Sequence, residues 1–316
     1  MTSELPKPAS ATVGAATVNV FMTPESGTHH GDDSPTVVLP MQLVSLDDAG
    51  RTDVGQQRNQ NEDEFVIRTE VRRIENPQGR TIEAKGLYVL CDGMGGHAAG
   101  EVASAKAANY LKQFFANYPS NQLPTEAVLR EAILGANQDL YQDNQSSASQ
   151  GSGRMGTTLV MLLLYNTRAA IAHVGDSRIY RYTRKKGLEL LTLDHELGQL
   201  EIQRGVDPEV AYAMPDAYQL TQALGPRDND CVEPDIAFYD INEDTLFLLC
   251  SDGLSDNGLL EEAEDTHIKP LLSSISNLEA GVIDLIDLAN ECNGHDNITV
   301  IAVRAKVKPN MATLVA

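Results

Sequence analysis

Residues 87–93, Leu-Tyr-Val-Leu-Cys-Asp-Gly, and residues 246–253, Leu-Phe-Leu-Leu-Cys-Ser-Asp-Gly, end alike. Each is an apolar run that stops at an aspartate beside a glycine, and each reads as a buried strand. A further acid, Asp296, stands just before another such run, Ile298–Val303. Carboxylates at the rims of buried strands are costly to place unless something positive neutralises them. Asp92, Asp252 and Asp296, with Asn61-Glu62-Asp63 upstream, therefore suggest a hard-cation site built only from oxygen ligands.

Outward from these strand ends the pattern alternates in groups. Short strands are expected at Glu64–Ile67, Gly86–Cys91, Thr157–Tyr165, Arg168–Val174, Arg178–Thr183, Leu188–Leu193, Ile236–Tyr239, Thr245–Cys250 and Ile298–Val303. Asn166-Thr167 reads as a tight turn between two of them. Apolar residues repeat at helical spacing in three places: Ala103, Ala107, Tyr110 or Leu111, Phe114 and Tyr118; Leu129, Ile133, Ala136 and Leu140; and Leu278, Val282, Leu285 and Ala289. Strands in hairpin-like groups with helices in pairs favour antiparallel sheets covered by helices over a βαβ repeat. The polar stretch from Asp194 to Pro226, carrying Gly205, Pro208 and Pro215, reads as a surface insertion with short helices, of the kind that can line a site. Residues 1–40, rich in Ser, Thr, Ala, Pro and Gly, read as a flexible tail, and 306–316 as a second, short one. The domain is expected between them, at 41–305.

The chain has 24 basic and 45 acidic residues, a formal charge of −21. That excess argues against general affinity for nucleic acid or anionic lipid, and it suits a carboxylate cluster that collects divalent cations. The four cysteines, Cys91, Cys231, Cys250 and Cys292, form no C-x-x-C pair, and two lie inside apolar strands. They look like reduced core cysteines. The longest fully apolar run, Leu159 to Tyr165, is too short to span a bilayer, and the N-terminus lacks the pattern of a signal peptide. A soluble, cytoplasmic chain is expected, with monomer as the default and no nucleic-acid or membrane partner.

Hard cations such as Mg²⁺ or Mn²⁺ take carboxylate, carbonyl and water oxygens, and Gly93 leaves its backbone carbonyl open to approach. Two such ions ~4 Å apart can share a water and lower its pKa, so that it attacks an ester in line. Arg58, three residues before Asn61-Glu62-Asp63, has a guanidinium fork suited to phosphate. His97 suits either proton donation to a leaving alkoxide or a bond within the turn. Asp176 could hold a further ion, pair with Arg178 or close a turn.

In this order the pieces resemble the PP2C type of metal-dependent protein serine/threonine phosphatase. The matching residues are Thr52-Asp53-Val54-Gly55 with Arg58 and Asn61-Glu62-Asp63; Cys91-Asp92-Gly93-Met94-Gly95-Gly96-His97 with Gly100-Glu101; Met155-Gly156-Thr157-Thr158; His173-Val174-Gly175-Asp176-Ser177-Arg178; Leu191-Thr192 with Asp194-His195; Leu224-Gly225; Cys250-Ser251-Asp252-Gly253-Leu254; and Asp296-Asn297-Ile298-Thr299. The match covers roughly residues 41–305, and Met94 with His97 looks like the bacterial branch.

The resemblance implies an α+β fold, an α-β-β-α sandwich of two central antiparallel sheets flanked by helix pairs, with two metal ions at one end. It implies Asp92, Asp252 and Asp296 at the first metal, and Asp92, Glu62 and the Gly93 carbonyl near the second. Asp176 with Asp252 matches a weak third-metal site, Asp63 would position a water, Arg58 would bind the substrate phosphate, and 194–226 would be a mobile flap bearing on substrate choice. Animal members carry a proposed acid histidine directly after the Asp-Gly, where this chain has Met94, so the role of general acid passes either to His97 or to a metal-bound water. The implied activity is hydrolysis of phosphoserine and phosphothreonine by direct attack of a metal-bridging water, with phosphoproteins as partners. A non-catalytic pseudophosphatase and a small-molecule phosphomonoesterase are the alternatives.

Overall fold

The computed structural model describes residues 39–76, 79–95, 99–118, 122–146 and 154–311. Strands dominate: β1 (Met41–Asp53), β2 (Asp63–Asn76), β3 (Gly79–Met94), β4 (Gly156–Thr157), β5 (Leu159–Tyr165), β6 (Arg168–Val174), β7 (Arg178–Thr183), β8 (Gly187–Leu190), β9 (Asp235–Asp240), β10 (Thr245–Cys250) and β11 (Ile298–Pro309). The longer helices are α1 (Ala99–Ala116), α2 (Glu126–Ser146) and α7 (Leu278–Cys292), with the short α3 (Leu197–Gln203), α4 (Pro208–Tyr212), α5 (Asp252–Ser255) and α6 (Leu259–Glu262).

One sheet runs β1-β11-β10-β7-β8 and the other β2-β3-β5-β6-β9, with β4 beside β3. Every pairing is antiparallel. The apolar runs explain the layering, because successive side chains in a strand point to opposite faces. In β3, Leu87, Val89 and Cys91 pack against α1 and α2, while Tyr88 and Leu90 face the other sheet. In β10, Leu246, Leu248 and Cys250 face α7, while Phe247 and Leu249 turn inward. Strands apolar on both faces can only sit between two covering layers, and helix, sheet, sheet, helix results. The three helical repeats supply the outer layers: Ala103, Ala107, Leu111, Leu129, Ile133, Ala136 and Leu140 on one side, and Leu278, Val282, Leu285 and Ala289 on the other. Asn166 takes φ +54° in the expected turn between β5 and β6, and its side-chain oxygen accepts from the Ala84 amide at 3.0 Å.

Several boundaries differ from expectation. β1 was not foreseen, since its sequence, MQLVSLDDAGRTD, is polar and is held as a strand by pairing with β11 from Met41↔Pro309 to Asp53↔Ile298. β2 and β3 extend well past the apolar core as a charged two-stranded ribbon, reaching Asn76↔Gly79. β11 continues to Pro309, so the expected start of a C-terminal tail at 306 falls inside a strand. Residues 41–309 form one compact unit, apart from 1–40 and 310–316. In the smaller unit, the Asn310 amide donates to the Pro40 carbonyl at 2.8 Å. The rest of the expected N-terminal tail, residues 1–38, lies outside the described residues, as do 312–316. No helix among the described residues is long and apolar enough to cross a membrane.

Candidate metal centre

The strand ends that carry the acids meet at one end of the sandwich. Asp92 closes the apolar run of β3, directly opposite Asp63 at the start of β2. The Asp92 carbonyl accepts from the Thr158 amide and the Thr157 hydroxyl, each at 2.8 Å, while its amide donates to Thr158 Oγ1 at 3.0 Å. Asp252 opens α5 just past β10, and Asp296 precedes β11, the neighbour of β10.

Asn297 joins these pieces to the Arg58 loop. Its side-chain amide donates to the Val54 and Gln60 carbonyls, both at 2.9 Å, and its oxygen accepts from the Glu62 amide at 2.8 Å. One asparagine beside Asp296 thus fixes the loop that carries Arg58 and Glu62. Gly93 is required by close approach, because a Cβ there would run into the carbonyl oxygens of Gly100 and Glu62. Ser104 donates to that same Glu62 carbonyl at 2.5 Å, securing the Glu62 backbone against α1.

Arg58, Glu62, Asp92, Gly93, Asp176, Asp252 and Asp296 all line one open cleft of about 310 Å³. Asp63 does not line it. It is buried behind the cleft, where Oδ2 accepts from Ser251 Oγ at 2.9 Å and Thr299 Oγ1 at 2.6 Å. His97 lies outside the described residues. Met94, Gly95, Thr158, Tyr218 and Leu220 complete the cleft. Tyr218 and Leu220 were missed because they carry no catalytic motif. The only sequence signal for them is their place in the polar insertion.

The electrostatics are those of acids lacking a counter-charge. Burial, reinforced by Asp63, Asp252 and Asp176, holds the Asp92 carboxyl well above the usual range. Burial, then Asp252, Glu196 and Asp194, does the same to Asp176. Asp252 is pushed up to about 6 by burial and by Asp256 and Asp296. Burial takes Asp63 to about 7 despite its two hydroxyl donors. Glu62 is also raised, chiefly by burial, against the pull of Arg58 and of a Gly100 hydrogen bond. The single guanidinium at the cleft, Arg58, is bonded to Asp296 at 2.5 Å. Among the described residues, Oδ1 of Asp252 and Oδ1 of Asp63 are buried with no hydrogen-bond partner. The orphaned Asp252 oxygen, in a converging set of acids without nitrogen or thiolate donors, fits a hard divalent cation.

Converging carboxylates beside a guanidinium suit hard cations next to an oxyanion. Residues 79–282 match the model of the protein phosphatase 2C family, and the chain belongs to that family. It is 34% identical over 257 residues to protein phosphatase PhpP of Streptococcus pneumoniae, covering 80% of this chain and 94% of that protein. It is 33% identical over 258 residues to the serine/threonine phosphatase stp of Listeria monocytogenes, covering 80% and 93%. The crystal structure of the Mycobacterium tuberculosis serine/threonine phosphatase PstP/Ppp superposes with a TM-score of 0.64 at 30% identity, covering 83% of this chain and 99% of that one. The catalytic domain of PstP in complex with two manganese ions superposes with a TM-score of 0.60 at 29% identity, covering 84% and 99%.

Proposed function

We propose that this chain is a metal-dependent protein serine/threonine phosphatase whose centre is the cleft between Arg58 and Asp252. The observation that carries the reading is the convergence of Glu62, Asp92, Asp176, Asp252 and Asp296 on one cleft, with an orphaned buried oxygen on Asp252. Asp92, Asp252 and Asp296 would hold one ion, and Asp92, Glu62 and the Gly93 carbonyl a second, with Mg²⁺ or Mn²⁺ as candidates. Asp176 with Asp252 is suited to a third. When bound, such ions supply Lewis acidity to the phosphoryl oxygens and a water of lowered pKa for in-line displacement at phosphorus.

The chain's own residues do the rest. Asp63, tied to Ser251 and Thr299, links the starts of β2 and β11 and the turn after β10, and it is retained as the residue proposed to position a water. A cysteine phosphoenzyme has no place in this scheme. Cys91 and Cys250 are fully buried, and burial pushes the Cys250 thiol up to about 12; Cys231 and Cys292 are exposed rather than in the core as expected, and neither lines the cleft. His97 is retained as a proposed proton donor to the leaving alkoxide. Phosphoproteins are the proposed substrates.

Arg58 is half exposed at the rim and bonded to Asp296. With Asp296 committed to a cation, the Arg58 guanidinium would be free to bind a phosphoryl group. Arg58→Ala is expected to raise KM for a phosphothreonine peptide about tenfold while lowering kcat less, as read by steady-state kinetics. An unchanged KM would remove Arg58 from the phosphate site.

Tyr218 offers a way to separate protein substrates from small ones. It lines the cleft, is 69% exposed, and rests against Tyr212 with ring centroids 5.3 Å apart. An aromatic this open beside a phosphate site is placed to cover a peptide flanking the phosphoresidue. Tyr218→Ala is expected to raise KM for the phosphopeptide severalfold and leave KM for an aryl phosphate unchanged. Equal effects on both would favour a small-molecule phosphomonoesterase.

A further inference from the structure

His195 is 9% exposed and makes four directed hydrogen bonds to three parts of the fold. Its amide donates to the Gly175 carbonyl at 2.9 Å, and its ring Nδ1 accepts from the Gly175 amide at 3.2 Å. Its carbonyl accepts from the Thr221 amide at 2.7 Å, on the returning stem of the polar insertion. Its Nε2 faces Asp235 Oδ2 of β9 at 3.4 Å. Gly175, at φ +108°, is the turn residue that presents Asp176 to the cleft.

His173, His195 and Asp235 lie close enough together to suggest a second metal site. The proton positions argue against it. Because the Gly175 N–H donates to Nδ1 of His195, the ring proton of the neutral imidazole sits on Nε2, the nitrogen that faces Asp235. His173 Nε2 is 2.8 Å from the Leu193 carbonyl, so it also carries its proton. Neither nitrogen facing Asp235 offers a lone pair to a cation. The cluster is a clamp: Asp235 fixes the His195 tautomer, and the tautomer supplies the acceptor that holds Gly175.

The same dipeptide grips the turn a second time. Asp194 accepts from Arg178 Nε at 3.0 Å and Nη2 at 2.6 Å, and Arg178 Nη1 donates to the Ser255 carbonyl, in the short helix that begins with Asp252, at 3.2 Å. The insertion begins at this dipeptide and returns at Thr221 against it. His195 thus bonds both the returning stem of the insertion and the Gly175 turn before Asp176.

We propose that His195 is a positioning residue that couples the 194–226 insertion to Asp176, through its Nδ1 acceptor bond to Gly175. The proposal rests on the reading of Asp176 as a cation ligand, and its test is built to separate the two. Full-length protein and the variants Asp176→Asn, His195→Ala, His195→Asn and Asp235→Leu are titrated with Mn²⁺ by calorimetry. Each is also assayed for KM with a phosphothreonine peptide and with an aryl phosphate. Asp176→Asn is expected to abolish the weakest Mn²⁺ site. His195→Ala is expected to weaken that site at least fivefold, to leave the tight sites within twofold, and to raise KM for the peptide alone. Asn can present an acceptor near the Nδ1 position, so His195→Asn is expected to recover most of both losses. Asp235→Leu, at a surface position, is expected to reproduce part of them, and it decides the matter if His195→Ala does not fold. Parental Mn²⁺ binding and KM in the His195 and Asp235 variants, with the Asp176→Asn loss observed, would overturn the coupling alone. Equal deficits in His195→Ala and His195→Asn would reduce the ring to a space-filler and overturn it as well. Unaltered binding in Asp176→Asn would overturn the reading on which the proposal stands.

Discussion

Asp92→Asn is expected to lower phosphate release roughly a thousandfold, about 4 kcal/mol of transition-state stabilisation. Asp92 is the acid assigned to both core ions, so one substitution withdraws a charge from each. The amide keeps the shape and the backbone bonds to Thr157 and Thr158, which do not involve the carboxylate. The fold should survive and gain. Burial and the neighbouring acids hold the Asp92 carboxyl above its usual range, so in the metal-free protein its charge opposes folding at neutral pH. A thermal melt in EDTA should show Asp92→Asn at least as stable as the parent, while Mn²⁺ should raise its melting temperature far less. Near-parental turnover in a folded Asp92→Asn protein would dissolve the metal assignment.

The second large effect is on stability as a function of pH. Asp252 and Asp63 are raised from the ordinary value of 3.8 to about 6 and about 7. A carboxyl whose folded pKa exceeds its unfolded one stabilises the fold in its protonated form. That contribution is fully present below the unfolded value and is lost as pH rises through the folded value. Metal-free protein should therefore lose stability between about pH 4 and pH 7 through these groups, by several kcal/mol in all. A cation removes the cause at Asp252, whose ionised form it would bind in competition with protons. The rise in melting temperature on adding Mn²⁺ should be on the order of 10 °C larger at pH 8 than at pH 5.5. The same rise at both values would mean that Asp252 is not where the cation binds.

How much of this was readable beforehand varied with the physics of each part. Strands apolar on both faces, such as Leu87–Cys91 and Leu246–Cys250, announce themselves because nothing but a doubly covered sheet accommodates them. Acids at their ends announce a cation for the same reason. β1 carries no such signal. It is a strand because β11 pairs with it along its whole length, and pairing is a tertiary event that the local sequence does not contain. The charged ribbon past Arg68 and Lys85 escaped for a related reason, since from Val71↔Ala84 to Asn76↔Gly79 it is a strand through pairing of β2 with β3. In the site, the spacing of Arg58 ahead of Asn61-Glu62-Asp63 singled it out, but only the fold shows that it lines the cleft. The part played by Asn297 needed coordinates: its three bonds reach residues some 240 positions away in the chain, and only the fold brings them to it. Asp63 and Asp92 are paired across β2 and β3, yet one lies behind the cleft and the other lines it.

The most direct test of a metal-dependent protein phosphatase is phosphate release from a phosphothreonine peptide by full-length protein. It is measured with Mn²⁺ or Mg²⁺, after EDTA, and after the metal is restored. Release that requires the ion, stops with EDTA and returns on restoration is the predicted result. Folded protein that releases no phosphate with any ion would contradict it and leave a phosphopeptide-binding module on the same fold.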